Sequence, residues 1–534
     1  MNTKHLVQLV MVICAAAAVA PNPASAQQKA PAPKPTTEEW WDAKSTHGPQ
    51  KACFFKAGFA ERDITPDIGM EWPGGYGKSY HRTFHDPCKV RAVVFDDGKK
   101  RVALVGMDLL IITRAFVKEV RAEIEKRCGI KPECVLIGAS HSHSSGPIGM
   151  AEPGDFDNAS ELVKDLVNNK SIVSNPGYTQ LMKKQVVEAV VFANEVRTDA
   201  KLAVGFGCED KVAFNRRLRM KNGLSYTHPG AGNPDIIEYA GPIDPQVGVV
   251  GVWDLKGNLL GVVVNFSCHA TTAPGGISAN WIWAMEQTLR GATGNAALPV
   301  VFMQGACGDV TQVDNLTKFQ NPGAEEWCQL VGGRVGAEAF KTLLLIRRGA
   351  ASDIPLDVRQ KVWNIKRRAP SPEKVKKAME MIQKDPKEVG ATEWTFAKET
   401  VVLDALMKSR PEVETEVQAV QVGPAVFVTN PAEYFVQYGL DIKKGSKFPF
   451  TFPVELANGC VGYVPTEEAL GPHGGGYETR LTGYSNLEVT AGRQIANTGI
   501  ALANEMKPGP VPQPLPATPA KASWTYGAVP PELE

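Results

Sequence analysis

The chain has 534 residues, and its 58 lysines and arginines nearly balance its 57 aspartates and glutamates. A chain of this length can bury a large core, and a single catalytic domain with insertions reaches this size. The near-neutral charge creates no overall field that would attract nucleic acid or an anionic surface. Composition therefore argues against a charge-driven binding protein and leaves the function to local motifs.

The first 26 residues have the pattern of a secretory signal peptide. A short basic segment precedes an apolar run, and Ala24-Ser25-Ala26 is a typical cleavage site. The apolar run is shorter than the roughly 20 residues that a membrane-spanning helix needs. We therefore expect cleavage after Ala26, a secreted or periplasmic protein and no transmembrane segment. In such a protein Cys128 and Cys134 could form a disulfide, but two buried thiols fit as well.

The rest of the chain divides by composition into a tether, a catalytic domain and a tail. Residues 27–50 begin with the Pro/Ala-rich stretch QQKAPAPK, and residues 507–534 are again rich in proline. Segments of this kind usually carry no chemistry. The catalytic domain is expected at residues 51–506. Within it, the charged residues from about 360 to 410 predict a peripheral helical segment.

Short β-branched runs alternate with amphipathic stretches through this domain. The runs that predict strands cover residues 89–97, 101–112, 134–140, 248–254, 259–267, 298–305 and 419–430. Residues 114–129 predict a helix with Phe116, Val117, Val120 and Ile124 on one face and Gly129 at its end. Residues 333–346 and 482–506 contain further helical patterns. Interleaved strands and helices predict an α/β fold with mixed β-sheets covered by helices.

Four of the apolar runs are followed by unusual polar groups. These groups are His141 and His143, then His269, then Asp309 and Thr311, and finally Glu433. In open α/β sheets, ligands gather beyond the carboxyl ends of the strands, so residues distant in sequence converge there. We therefore expect one active site at the carboxyl ends of strands.

Two histidines and a carboxylate are a suitable set of zinc ligands. Imidazole nitrogen and carboxylate oxygen suit the ion, and a catalytic zinc site keeps one position open for water. In the pair His141 and His143, one imidazole can bind metal while the other hydrogen-bonds or donates a proton. From the residues alone, a metal site and a merely polar loop both remain open.

Several motifs occur in the order found in a known enzyme family. They are AGFAERDITP, HDPCKVRAVVFDDG, SHSHSSGP, FNRR, FSCHATT, GACGDVT, NPAEYF and NGCVGYVPT followed by GGYET, spanning about Ala57 to Tyr484. In these motifs the chain resembles the neutral/alkaline, non-lysosomal ceramidase family. The resemblance implies a zinc-dependent amidase that cleaves the N-acyl bond of ceramide to a fatty acid and a sphingoid base.

The resemblance also implies roles for individual residues. The implied zinc ligands are His141, His269, Glu433 and Tyr463. The implied active-site residues are His143, Arg216 and Tyr477, which can donate hydrogen bonds to the oxygen that becomes negative. We further expect His143 to transfer a proton to the leaving nitrogen, because the unperturbed pKa of histidine lies near neutrality.

The chain departs from the family at two places. Thr311 stands where ceramidases have the serine of GDVSPN, and we predict that its hydroxyl orients the substrate. Family members continue into an immunoglobulin-like domain, whereas here a Pro-rich tail follows Met506. The expected partner is an N-acyl lipid, with peripheral membrane contact and no nucleic acid. A zinc hydrolase of another amide or ester, and a catalytically silent exported protein that binds lipid or glycan, remain alternatives.

Overall fold

The computed structural model describes residues 55–151, 154–511, 513, 524–527 and 529–534. The predicted signal peptide at 1–26, the tether at 27–50 and part of the tail at 507–534 lie outside the described residues. All described residues belong to one structural unit, Ala52–Glu534. Within these ranges, no helix combines the length and the apolar character that crossing a membrane requires.

Strands and helices interleave along the described part of the chain. The strands are β1 (Lys56–Asp63), β2 (Lys89–Asp96), β3 (Arg101–Met107), β4 (Val135–Ala139), β5 (Thr198–Cys208), β6 (Phe214–Asn215), β7 (Arg217–Met220), β8 (Ser225–Thr227), β9 (Ile236–Tyr239), β10 (Gln246–Asp254), β11 (Leu259–Phe266), β12 (Val300–Gln304), β13 (Val310–Thr311), β14 (Leu356–Lys366), β15 (Glu412–Val422), β16 (Ala425–Thr429), β17 (Glu433–Tyr434), β18 (Phe450–Val454) and β19 (Tyr463–Val464). The helices are α1 (Arg114–Cys128), α2 (Glu161–Asn168), α3 (Pro176–Glu195), α4 (Trp281–Thr293), α5 (Ala324–Ile346), α6 (Pro372–Met381), α7 (Pro386–Val389), α8 (Ala391–Ser409), α9 (Val436–Gly445) and α10 (Ala491–Glu505). This pattern confirms the predicted α/β class.

The largest sheet has eight strands in the order β12-β11-β10-β5-β1-β2-β3-β4. The neighbours at its two ends, β11 with β12 and β3 with β4, run parallel, and the other neighbours are antiparallel. Every residue of β4 and β12 is buried. Strands covered on both faces read as continuous apolar runs, which is why the sequence predicts them well.

The two ends of this sheet lie against each other. A Cβ atom added to Gly106 on β3 would lie 2.4 Å from the carbonyl oxygen of Phe302 on β12, so only glycine permits this approach. The segments that follow β4 and β11 also meet, because the amide of His143 donates to the carbonyl of Ala270 (3.1 Å). The carboxyl ends of both parallel pairs therefore open onto one region.

A second sheet, β14-β15-β16-β18, delivers another segment to the same region. The side-chain amide of Asn265, at the end of β11, donates to the carbonyls of Met303 and Pro453, each at 2.9 Å. The amide of Glu455 donates to the carbonyl of Gln304 (3.0 Å). These bonds bring the carboxyl ends of β16 and β18 to those of β11 and β12.

The predicted helical segment at about 360–410 needs two corrections. Its first residues belong to strand β14, which pairs along its whole length with β15. Pairing of its backbone with β15, rather than the charge of its side chains, determines its structure. The helices begin only at Pro372, and α8 is not peripheral, because Glu399, Val402 and Leu406 line the central cavity described below.

Helix α1 has the ends and the buried face that the sequence predicts. The side chain of Thr113 caps its start by accepting a hydrogen bond from the amide of Phe116, and Gly129 ends it with a φ of 71°. Val120 and Ile124 are among the buried residues of its inner face. The helix thereby covers the half of the sheet that contains β3 and β4.

The cysteines of the described residues are all free thiols. The Cys128 thiol donates to the carbonyl of Ile124 (3.3 Å) in the last turn of α1. Burial raises the pKa of Cys134 to about 11. The pair therefore fits the second alternative above, two small apolar side chains rather than a disulfide.

Candidate metal centre and active site

His141 follows β4 in an unusual backbone conformation. Its φ of 62° lies in the left-handed region, which side chains other than glycine rarely adopt. Two hydrogen bonds hold it there: His141 Nδ1 to the carbonyl of Leu110 (3.0 Å) and the amide of Ser142 to the carbonyl of Leu109 (3.0 Å). Because a carbonyl oxygen only accepts, Nδ1 carries the hydrogen and the buried Nε2 is left to act as a ligand.

His269, which follows β11, is fixed in the same tautomer. Its Nδ1 lies 2.7 Å from the carbonyl oxygen of Cys307 and 3.1 Å from that of Val310. Its amide also donates to the carbonyl of Val310 (3.1 Å), and the side chain is fully buried. The loop after β12 thus orients the imidazole and leaves Nε2 facing the same point as Nε2 of His141.

Glu433 completes a three-residue cluster. One carboxylate oxygen, Oε2, lies 3.2 Å from Nε2 of His141 and 3.2 Å from Nε2 of His269. Strand β17 pairs with β19 in the register that sets Glu433 beside Tyr463. Two ring nitrogens without hydrogens and an ionised oxygen would repel one another, and a shared cation would satisfy all three. The donor set therefore fits a zinc ion.

His143 lies as close to this cluster as the predicted ligands do. Its Nε2 is 3.1 Å from Nε2 of His141, and ligand atoms of His141, His143 and His269 all lie within 4.8 Å of one another. The Trp72 indole donates to the carbonyl of His143. Gly74, with a φ of 98°, leaves room for the ring, because a Cβ atom there would lie 2.3 Å from Nδ1 of His143. His143 is half-buried and lines the cavity.

Arg216 is buried and holds the tyrosines rather than facing solvent. Its guanidinium donates to Glu478 Oε1 (2.6 Å) and to the hydroxyl of Tyr463 (3.0 Å), and Nη1 lies 3.4 Å from Nε2 of His269. The hydroxyls of Tyr463 and Tyr477 lie 3.5 Å apart. The structure thus brings all seven residues that the resemblance implied into one place, with the other six around Glu433.

The charges in the cluster are strongly coupled. Burial disfavours protonation of His141, but Glu433 outweighs it and raises the pKa of His141. Burial, followed by Arg216 and His141, lowers the pKa of His269 to about 3. Burial, followed by His141, holds the pKa of His143 well below its usual value. Burial opposes ionisation of Glu433, but His141 outweighs it and keeps the pKa of Glu433 well below its usual range.

Sequence reasoning missed two residues of the site. Glu478 is fully buried and accepts hydrogen bonds from Arg216 and from the hydroxyl of Thr227 (2.6 Å). Tyr484 lines the cavity, and its ring contacts that of Tyr463, with the centroids 5.5 Å apart. Glu478 follows the predicted Tyr477 directly, so the motif GGYET contained a signal for it. Nothing in the sequence distinguishes Tyr484 from a core aromatic residue.

Asp309 and Thr311 occupy structural positions beside the site. The Asp309 carboxylate accepts from the amide of Val436 (2.8 Å) and from the side-chain amide of Asn215 (2.8 Å). The Thr311 hydroxyl accepts from the amide of Val313 (3.3 Å), and Thr311 is not among the residues that line the cavity. The structure therefore does not bring Thr311 together with the other predicted site residues.

A cavity of about 190 Å³ opens beside the cluster. Its polar lining includes His143, Glu433, Tyr463, Tyr477 and Tyr484. The larger part of its wall is apolar and includes Ile111, Ile148, Met150, Phe156, Val402 and Leu406. The sequence analysis identified no apolar groove, because these side chains come from four separate segments. A bound molecule here would have a polar end near the cluster and an apolar remainder.

Fold and site together define a class: a mixed-sheet protein, covered by helices, whose buried histidine–carboxylate centre opens on an apolar cavity. The chain matches no family model. Neutral ceramidase of Pseudomonas aeruginosa is 27% identical over 227 residues, which are 41% of this chain and 30% of that protein. The aligned region thus spans less than a third of the curated relative.

Two solved structures share the fold. The crystal structure of neutral ceramidase from Pseudomonas aeruginosa aligns with a TM-score of 0.62 at 18% identity, covering 87% of this chain and 77% of that one. A ceramidase complexed with C2 aligns with a TM-score of 0.61 at 17% identity and the same coverage. These comparisons confirm the predicted resemblance: part of the chain is similar in sequence to a neutral ceramidase, and the chain shares the fold of two ceramidase structures.

Proposed function

We propose that this protein is a zinc-dependent amidohydrolase of the neutral ceramidase type, which cleaves the N-acyl amide bond of ceramide or a related N-acyl lipid. The observation that carries the proposal is the approach of His141 Nε2 and His269 Nε2 to one oxygen of Glu433. These three residues and Tyr463 would hold the ion. The apolar cavity beside them supports a lipid-like substrate, and the curated relative is a neutral ceramidase.

The residues of the site suit the hydrolysis of an amide. A zinc ion at this centre would supply Lewis acidity to the amide carbonyl and to the attacking water. His143, which lines the cavity with its Nε2 3.1 Å from that of His141, can take a proton from that water and deliver it to the nitrogen as the C–N bond breaks. The Tyr477 hydroxyl can donate to the oxygen that becomes negative. Arg216 holds Tyr463, and Tyr463 contacts Tyr477. The products are a carboxylic acid and an amine.

Metal analysis combined with turnover tests this proposal. The purified protein should contain one zinc ion per chain and hydrolyse N-acyl amides, and a chelator should abolish the activity. His141→Ala and His269→Ala should lose both zinc and turnover, whereas His473→Ala, a change at an exposed loop histidine, should lose neither. Stoichiometric zinc in both ligand variants would show that His141 and His269 do not hold the ion. Zinc without turnover of any amide or ester would favour the silent binding protein.

We also propose that the protein is exported. The support is the sequence of residues 1–26, which joins a basic segment, an apolar run and an Ala-Ser-Ala cleavage site. Mass spectrometry of protein recovered from a cell that recognises such signals should give a chain that begins at Gln27. Retention of Met1 in the recovered protein would contradict the proposal.

A further inference from the structure

The charged groups that line the cavity do not balance. Each carboxylate of the lining already has a place in the structure: Glu433 belongs to the metal centre, Asp155 pairs with Arg410 (2.6 Å), and Glu399 pairs with Lys398 (3.1 Å). Arg367 also lines the cavity. Among the described residues, no carboxylate lies within ion-pair distance of its guanidinium. Within the described part of the chain, the positive charge of Arg367 therefore has no counter-charge.

One donor of the Arg367 guanidinium has no acceptor among the described residues. Its Nη1 donates to the side-chain oxygen of Asn486 (2.6 Å), whereas its buried Nε finds no acceptor among the described residues. In a guanidinium, Nε and Nη2 lie on the same edge, and two donors on one edge match the two oxygens of an anionic group. A buried donor without an acceptor is unfavourable, so a ligand that supplies one gains affinity.

A second guanidinium lies close to the first. The amide of Arg367 donates to the carbonyl of Pro411 (2.9 Å), which follows Arg410 directly. Burial and then the charge of Arg410 lower the pKa of Arg367 to about 10, so the Arg367 side chain stays charged at neutral pH. Both arginines line the cavity, and among its described lining residues only Asp155 pairs with one of them, Arg410.

Helix α8 connects this end to the metal centre. Glu399, Val402, Leu406 and Arg410 all line the cavity, at spacings of three or four residues. At about 1.5 Å per residue, Glu399 and Arg410 lie roughly 16 Å apart along the helix direction. Lys398, the partner of Glu399, donates to the carbonyl of Tyr76 (2.6 Å), so the Glu399 end is the one near the site tyrosines.

We propose that the cavity selects N-acyl amides that carry an anionic group, such as a carboxylate, sulfonate or phosphate, and that Arg367 binds this group. The proposal rests on the proposed amidase function for the bond that is cleaved. The apolar side chains between the two ends would contact the hydrocarbon chain. A neutral amphiphile of equal length would leave the Arg367 edge without an acceptor and would bind more weakly.

Binding without turnover tests the anion site on the zinc-loaded protein. By calorimetry, octanesulfonate should bind about tenfold to hundredfold more tightly than octanol, since a hydrogen bond to a charged group contributes that factor. Arg367→Met should remove this preference and leave octanol binding unchanged. Arg368→Met is the matched control: Arg368 is half-buried, donates to the carbonyl of Leu487 (2.8 Å) and is not among the cavity-lining residues.

Two results would overturn the anion site: equal affinity of the wild type for the sulfonate and the alcohol, or a preference that survives in Arg367→Met. Turnover then identifies the part of the substrate that carries the anion. N-decanoyl taurine carries the anion on the amine part, and the mono-ethylamide of decanedioic acid carries it on the acyl chain. N-decanoyl ethylamine is the neutral reference.

One anionic amide should exceed the neutral one at least about tenfold in kcat/KM, and only Arg367→Met should remove the difference. A neutral amide turned over as well as both anionic ones would refute the substrate class. Sulfonate binding that depends on Arg367, without hydrolysis of any amide, would refute the proposed function and leave the anion site in place.

Discussion

Replacement of Gly74 by alanine should damage catalysis without removing the metal. The new Cβ would lie 2.3 Å from Nδ1 of His143, whereas ordinary contact begins at 3.4 Å. The ring or the loop must therefore move by about 1 Å, and a misplacement of that size costs up to about 100-fold in rate. The φ of 98° adds about 1–2 kcal/mol of backbone strain for any residue with a Cβ.

The assay is kcat/KM for an N-acyl amide, together with zinc content. Gly74→Ala should lower kcat/KM about tenfold to hundredfold and retain zinc, because the nearest atoms to the new Cβ all belong to His143. Gly75→Ala is the matched control, since the atom nearest to its Cβ would be the carbonyl oxygen of Gly77, at 3.9 Å. Wild-type kcat/KM in Gly74→Ala would refute the role given to the position of His143.

Three further substitutions probe the surroundings of the centre. Glu478→Gln leaves the buried Arg216 without its counter-charge and should lower the free energy of unfolding by about 3–5 kcal/mol in chemical denaturation. Tyr463→Phe removes the hydroxyl that accepts from Arg216 (3.0 Å) beside Glu433 and should weaken zinc binding about 10–100-fold in a chelator competition. Val402→Trp should fill the cavity and lower kcat/KM for long N-acyl amides about tenfold or more relative to short ones.

Each of these substitutions has a control, which is the same kind of substitution at an exposed residue. Glu467→Gln should change the free energy of unfolding by less than about 0.5 kcal/mol, since its side chain is 40% exposed. Tyr226→Phe should leave zinc affinity unaltered, and Val362→Trp should not change the chain-length profile. If a control matched its test variant, or a test variant behaved like the wild type, the contact assigned to that residue would be wrong.

The predictable part of the fold consists of strands that are buried on both faces. Such strands as β4 and β11 appear in the sequence as unbroken apolar runs. Strand β5, at the centre of the large sheet, escaped prediction because charged residues occupy its start and glycines its end. The boundaries of the segment at 360–410 failed for a related reason: β14 is half exposed, and its long charged side chains resemble those of a surface helix.

Some residues of the site were likewise predictable from the sequence, and others were not. His141 and His269 stand directly after buried strands, so their convergence could be inferred from topology. The position of Tyr463 depends on the register of two strands of two residues each, which no periodicity reveals. Thr311 has suitable chemistry, but the turn after β13 directs its hydroxyl to the amide of Val313. Contacts that depend on loop geometry are the part that residue types cannot predict.

Two parts of the chain form the cavity, and they differ in how readily their residues can be substituted. The atoms suited to hold a cation come from short segments after strands of both sheets, each tied by backbone hydrogen bonds, so most changes there disturb the neighbouring strands. By contrast, one apolar wall of the cavity is formed by side chains from successive turns of a single helix, α8. Mutation of that one helix can therefore reshape the cavity during evolution, while the cluster of His141, His269 and Glu433 is inherited intact.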